Sequence, residues 1–123
     1  MTFQALPDRD GGTTVLRATG DLDVAVVPAL LPEVPALVSA AESVVLDLSD
    51  VTFFDSSGVR LVDTLTRECG ARATPFRVVA PPGGPTRRVL ELVGMADALA
   101  SDDLAAAIRA VHSPGRARRR PQR

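Results

Sequence analysis

The sequence predicts a single α/β domain built on a mixed sheet of four to five strands. Segments that resemble strands and helices follow one another in the order β-β-α-β-α-β-α-α, which is typical of a sheet with helices laid against it. The two strands at the start form a hairpin, so the sheet is mixed rather than purely parallel. Apolar residues make up 46% of the 123 residues, which is enough for one hydrophobic core.

The first elements are the hairpin and a helix. Residues 2–6 and Val15–Thr19 read as its two strands. From Val27 onwards, apolar residues recur at the spacing of one helix face. Pro32 and Pro35 fall inside this stretch, and an interior proline removes a backbone hydrogen bond and clashes with the preceding turn. We therefore expect a helix that is kinked or begins late.

A central strand and a long helix come next. Val44–Leu48 is mostly apolar and β-branched, as in a strand buried on both faces. After residues 50–58, apolar side chains return at helical spacing, which predicts a helix with one buried face. This face comprises Gly58, Leu61, Val62, Leu65 and Cys69.

The last third contains a strand and two helices. Phe76–Ala80 reads as a strand. Thr86 is predicted to cap a short helix that ends at Gly94, since threonine favours the first position and glycine the end of a helix. Ser101 is predicted to cap the final helix, whose buried stripe comprises Leu104, Ile108 and Val111.

The composition argues against several kinds of enzyme. The one histidine, His112, lies near the chain end, so a Ser-His-acid triad has no well-placed base. The chain has no lysine and hence no P-loop, and no dinucleotide-binding glycine pattern follows a strand. Cys69 is the single cysteine and is expected to be a buried small apolar residue. We therefore expect no enzyme activity, no metal and no cofactor.

Charge and hydropathy indicate the compartment and a basic tail. No stretch is long and apolar enough to span a membrane, and no secretory signal is visible, which favours a cytoplasmic protein. Five arginines lie in residues 114–123, which leaves a net charge of −6 for residues 1–113. We expect a domain over 1–113 and a disordered tail over 114–123, a solvated end rather than a nucleic-acid contact.

Residues 50–58, DVTFFDSSG, join the central strand to the long helix. Val51, Phe53 and Phe54 are expected to anchor this crossing in the core. Asp55 or Ser56 can cap the helix by accepting hydrogen bonds from its free N–H groups. A hydroxyl at a helix start is also a favourable place for a phosphate. The residues alone leave both interpretations open, a structural cap and a phosphorylation switch.

Three segments carry a resemblance to a known family. VVLDLSDVTFFDSSGVRLVDTL (44–65) closely resembles the signature of STAS domains, in particular the single-domain anti-sigma factor antagonists. ATGDLDVAVVPALLPEV (18–34) and FRVVAPPGGPTRRVLELVGMADAL (76–99) resemble that family's segments before and after the signature. The resemblance implies a mixed sheet with helices packed on one side.

The resemblance also implies a partner-switching role in transcription regulation. The unphosphorylated antagonist binds an anti-sigma factor that is also a serine kinase, and this releases a sigma factor. Phosphorylation of Ser56 ends the binding, and a metal-dependent Ser/Thr phosphatase reverses it. ATP then belongs to the kinase, and this chain contacts no nucleic acid. The residues expected to bind the partner are Asp21, Asp23, Asp55, Ser56, Ser57, Gly58 and Arg60.

Arg60 departs from the family pattern, which often has a small or apolar residue at this position, and we expect it to tune the choice of partner. Two other functions stay open at this stage. The chain could be a STAS interaction subunit of a transporter or signalling assembly that is not phosphorylated. It could also be a small serine hydrolase using Ser57, which the missing positioned histidine disfavours.

Overall fold

A computed structural model describes residues 1–7 and 12–112 of the chain. Its centre is a five-stranded sheet in the order β1-β2-β3-β4-β5, in which β1 is antiparallel to β2 and all other neighbours are parallel. This confirms the mixed α/β fold. The predicted tail over 114–123 lies outside the described residues. The strands are β1 (Thr2–Pro7), β2 (Thr13–Leu22), β3 (Ser43–Phe54), β4 (Phe76–Val79) and β5 (Ala100–Ser101); the helices are α1 (Val27–Leu30), α2 (Val34–Ser39), α3 (Ser56–Ala71), α4 (Pro85–Leu92), α5 (Ala96–Leu99) and α6 (Leu104–His112).

The strand order explains where the connecting helices lie. From β2 to β5 each new strand adds at the same side of the sheet, and a right-handed crossover then places every connecting helix on the same face. Helices α1 to α5 accordingly share one hydrophobic core with this face. Its fully buried members include Leu16, Leu46, Val34, Leu61 and Leu90.

The last helix lies on the opposite face, so the expectation that all helices pack on one side is wrong for α6. Ala107 and Val111 of α6 pack against Val15, Val45 and Val79, which the three central strands direct away from the main core. Parallel strands need cover on both faces. Within residues 12–112, α6 follows β5 and leads to no further strand, so the crossover rule does not restrict its side.

The first helical segment is interrupted at Pro32 and Pro35, where a kinked helix or a late start was expected. Val27–Leu30 and Val34–Ser39 are separate α-helices, joined by a 3₁₀ turn over Leu31–Glu33. Each short helix has a proline at its start, where the missing N–H costs nothing because that donor would have no partner within the helix. The prolines therefore act as starts of new turns rather than as defects inside one helix.

Two predicted helix caps are wrong. Helix α4 begins at Pro85 with Gly84 as its N-cap, so Thr86 falls inside the first turn and is buried. Ser101 belongs to β5, where its carbonyl accepts a hydrogen bond from the Ala80 N–H at 2.9 Å. Asp103 caps α6 instead, since its Oδ1 accepts from the Ala106 N–H at 2.8 Å. The short elements α5 and β5 were absent from the sequence prediction.

The burial of Thr86 leads to a stability prediction. Its side chain is 2% exposed, and its hydroxyl has no hydrogen-bond partner among the described residues. A buried hydroxyl without a partner costs roughly 1–3 kcal/mol of desolvation. We therefore expect Thr86→Val to raise the free energy of unfolding by about 1 kcal/mol, measured by urea denaturation.

Thr13→Val is the matched control. Thr13 is fully buried too, but its Oγ1 lies 2.7 Å from Ser43 Oγ and 2.9 Å from His112 Nε2. Removing this hydroxyl leaves the Ser43 hydroxyl without its partner, so this variant should lose about 1–3 kcal/mol. Equal effects of the two substitutions would show that hydrogen bonding at these positions does not decide their stability.

Within residues 1–7 and 12–112, the longest helix, α3, is only 16 residues long and amphipathic, and no helix meets the length and apolarity that a bilayer crossing requires.

Candidate functional site

The junction between β3 and α3 lies at the carboxyl edge of the sheet. β3 is twelve residues long, but β4 pairs only with its residues Val44–Asp47. The second half of β3 pairs with β2, and the last pair joins Leu22 to Phe54. Both strands therefore end side by side, which brings the segment after β2 next to the start of α3.

Asp55 is the cap of α3, which decides between the two predicted capping residues. Its backbone is extended, and its Oδ1 accepts a hydrogen bond from the Ser57 N–H at 2.9 Å. Ser56 is the first helical residue and is exposed. Asp55 therefore caps the helix, while the adjacent Ser56 exposes its hydroxyl. The start of α3 does not depend on the Ser56 side chain.

Ser57 and Gly58 support the junction from within. Ser57 is half-buried, and its N–H is held by Asp55. Gly58 is buried beneath the ring of Phe54, and a Cβ on Gly58 would come within 2.6 Å of Phe54 Cδ1. The helix therefore approaches the sheet closely at Gly58, and both residues lie in the packing behind Ser56.

Asp21 and Asp23 flank the junction from β2. Asp21 is in register with Phe53, and its Oδ1 accepts a hydrogen bond from Thr52 Oγ1 at 2.8 Å. Asp23 lies just beyond β2 and accepts from the Ala25 N–H at 3.0 Å, which holds the turn before α1. Two carboxylates thus lie on the same edge of the sheet as Asp55 and Ser56.

Phe53 is not a core anchor, contrary to the prediction. Its side chain is 47% exposed, whereas Val51 and Phe54 are each 5% exposed. The register between β2 and β3 shifts twice, between Arg17 and Thr19 and between Gly20 and Asp21, so strict alternation of inward and outward side chains is lost here.

Val24, in the turn after β2, is 73% exposed, and sequence reasoning also missed it as a surface residue. For Phe53, the sequence signal was a pair of adjacent phenylalanines in one strand, because neighbouring strand residues face opposite sides of the sheet.

We call the exposed and partly exposed residues of this region the carboxyl-edge surface. They are Asp21, Asp23, Val24, Phe53, Asp55 and Ser56.

Arg60 lies one helical turn beyond Ser56 on α3 and is exposed. Its carbonyl accepts from Thr64 Oγ1 at 2.8 Å. Among the described residues, the ion pairs of the chain involve other arginines and leave the Arg60 guanidinium without a carboxylate.

Cys69 and His112 are positioned for structural roles. Cys69 is 1% exposed, and burial, assisted by the nearby Glu68 carboxylate, raises the pKa of its thiol to about 11. Such a thiol is a poor nucleophile near neutral pH. His112 contacts Thr13, which also contacts Ser43 at the amino end of β3. Ser57 follows the other end of this strand, roughly 35 Å away, so the hydrolase pairing does not form.

Comparisons with known proteins identify the family and support the fold. The family described as "Mlab, STAS domain" matches residues 5–104. No curated protein sequence matches the chain. Among solved structures, an anti-sigma factor antagonist from Mycobacterium paratuberculosis is 29% identical, with a TM-score of 0.76 and coverage of 89% of this chain and 94% of that one.

The anti-sigma factor antagonist SpoIIAA of Bacillus is similar in two states. Its unphosphorylated form is 26% identical, with a TM-score of 0.70 over 84% of this chain and 89% of its own. Its phosphorylated form is also 26% identical, with a TM-score of 0.66 over 84% of this chain and 92% of its own. The family match over 5–104 and these similarities lead to one conclusion: the chain belongs to the STAS domain family.

Proposed function

We propose that this protein is an anti-sigma factor antagonist that acts by partner switching. Its unphosphorylated form binds an anti-sigma factor that is also a serine kinase, which frees a sigma factor. Phosphorylation of Ser56 ends this binding, and a metal-dependent Ser/Thr phosphatase restores it. The observation that supports the proposal most is an exposed serine in the first turn of α3, beside three carboxylates, on the fold of known antagonists.

The local structure allows a phosphate without unfolding. Asp55 already caps α3, and the Ser56 side chain is exposed, so a phosphoryl group would displace no buried contact. The group adds about −1.5 to −2 charges and three acceptor oxygens. The fold would persist while the charge of the carboxyl-edge surface changes strongly.

The carboxyl-edge surface also indicates the chemistry of the partner. Three carboxylates, those of Asp21, Asp23 and Asp55, favour a face that carries basic side chains. Phe53 and Val24 add two exposed apolar side chains, and aromatic residues are among the preferred anchors of interfaces. The matching face of the kinase would have an apolar pocket and basic side chains opposite these carboxylates, whereas the anionic phosphates of its bound nucleotide would lie opposite Ser56.

The chemistry of phosphoryl transfer lies with the partners in this proposal. The kinase supplies ATP and its catalytic groups, and Ser56 supplies the accepting hydroxyl oxygen. The phosphatase supplies the metal ions that would activate water to hydrolyse the phosphoserine, which releases inorganic phosphate and restores the Ser56 hydroxyl. The chain itself works by binding, in the compartment that holds the sigma factor, the cytoplasm.

The test uses purified anti-sigma factor kinases from the same genome, incubated one at a time with ATP and the antagonist. We expect the cognate kinase to add one phosphate to the wild-type chain and to Ser57→Ala, and none to Ser56→Ala, as measured by intact mass. Ser57 is the matched control because it is adjacent but half-buried. Phosphate on Ser56→Ala would show that the site is wrong. Binding of a partner with no phosphate on any variant would favour a STAS subunit that works without phosphorylation.

A further inference from the structure

Arg60 lies where it can contact a phosphate on Ser56. The two residues are separated by four positions on α3, so they occupy the same helix face about one turn apart, with Cβ atoms roughly 5–6 Å apart. Side chains in a helix lean towards its amino end. The Arg60 side chain is therefore directed towards the turn that contains Ser56.

The Arg60 guanidinium is free to pair with a phosphate on Ser56, because no described ion pair occupies it. Ser56 and Arg60 are exposed, and within residues 1–7 and 12–112 no carboxylate pairs with the Arg60 guanidinium. Two further arginines, Arg67 of α3 and Arg72 at its C-cap, are already paired with carboxylates one turn earlier. Arg60 is the arginine of this helix that remains available near its first turn.

We propose that Arg60 holds the phosphoryl group of phosphorylated Ser56 against the surface of α3. A guanidinium matches the oxygens of a phosphate with two parallel N–H···O hydrogen bonds. The carboxylates of Asp21, Asp23 and Asp55 surround the same edge and repel a phosphate. Arg60 offsets this repulsion in the phosphorylated state and contributes nothing comparable in the unphosphorylated state. This inference rests on the proposed phosphorylation of Ser56 and gives Arg60 a positioning role within it.

The test introduces phosphoserine at position 56 by genetic encoding, so it needs no kinase. The second pKa of the phosphate, ordinarily about 6, is followed by ³¹P NMR from pH 4.5 to 8. A nearby cation favours the dianion, so it lowers this pKa. We expect Arg60→Gln to raise it by about 0.2–0.4 unit relative to the chain with Arg60.

Three controls separate charge from a general structural effect. Arg67→Gln removes an exposed arginine of the same helix that pairs with Asp63, so it should leave the titration unchanged. Arg60→Lys keeps the charge without the planar fork and should restore part of the difference. Salt at 1 M should shrink the difference, because it screens exposed charges beyond roughly 3 Å.

An unchanged phosphate pKa in Arg60→Gln would overturn the role of Arg60. That result would leave the kinase assay on Ser56 untouched, because the phosphate is introduced without the kinase. Conversely, a kinase assay that finds no phosphate on Ser56 would contradict the proposed function, but the contact between Arg60 and an introduced phosphate could still be measured by the titration. The two proposals can therefore fail separately.

Discussion

Ser56→Asp should weaken binding of the anti-sigma factor kinase on the order of 100-fold, which corresponds to roughly 3 kcal/mol. The reason is the position of Ser56 in the complex. A kinase that phosphorylates Ser56 must bring its hydroxyl to the phosphates of bound nucleotide. A carboxylate at this position meets those phosphates as a like charge, and such juxtapositions cost several kcal/mol in an interface.

Ser56→Ala and Ser56→Asn control for shape. Ser56 is exposed and Asp55 supplies the cap, so neither variant should unfold α3. Both should bind the nucleotide-loaded kinase within about threefold of wild type, since neither adds charge. Equal weakening by Asn and Asp, measured by isothermal titration calorimetry, would indicate that size rather than charge controls the interaction.

Gly58→Ala should reduce the free energy of unfolding by about 1–3 kcal/mol, the usual range for overpacking a core. A methyl group at this position would lie 2.6 Å from Phe54 Cδ1 and 3.0 Å from Phe54 Cζ. Phe54 is 5% exposed and enclosed by the core, so its ring has little room to move. Alanine improves helix propensity by at most about 1 kcal/mol, which is less than the expected cost of the clash.

Gly70→Ala is the matched control on the same helix. A Cβ on Gly70 meets nothing within 4 Å, so only the gain in helix propensity applies. We expect this variant to be more stable by about 0.5–1 kcal/mol in urea denaturation. In a Phe54→Leu background the aromatic ring is absent, so Gly58→Ala should cost less stability than it does with Phe54 present. Loss of stability at Gly70 equal to that at Gly58 would count against the role of the ring.

The sequence was sufficient for much of the fold because periodicity reports burial directly. The apolar spacing after residue 58 correctly predicted helix α3, and the β-branched run in Val44–Leu48 correctly predicted strand β3. Pro32 and Pro35 predicted a kinked or late helix, and the segment is interrupted there, since the effect of a missing N–H is local. Periodicity could not tell which face of the sheet α6 covers, because a buried stripe is the same on either side.

The missed elements depended on contacts between distant parts of the chain. β5 comprises two residues, and it forms because Ala100 and Ser101 pair with Val78 and Val79. Ser101 therefore joined the sheet instead of capping a helix. Alternation in a strand shows that only one of Phe53 and Phe54 faces the core. Which of the two is buried depends on the register and bulges between β2 and β3, which local sequence does not report.

In the candidate site, too, local sequence predicted some features, while others depended on contacts between distant parts of the chain. The junction DVTFFDSSG located the strand end and the helix start, but left Asp55 and Ser56 as equal candidates for the cap. The extended backbone of Asp55 and its hydrogen bond to the Ser57 N–H decided this. The family resemblance placed Asp21 among the partner-binding residues, and its position beside β3 depends physically on the parallel pairing of two strands separated by α1 and α2.

The central claim is that a phosphate on Ser56 decides whether the kinase stays bound. The most direct test measures the Kd of the cognate kinase for one preparation of the antagonist in three states: unphosphorylated, fully phosphorylated at Ser56, and dephosphorylated again by the phosphatase. We predict a Kd about 100-fold higher in the phosphorylated state, with the original value recovered after dephosphorylation. The same Kd in all three states would contradict the account.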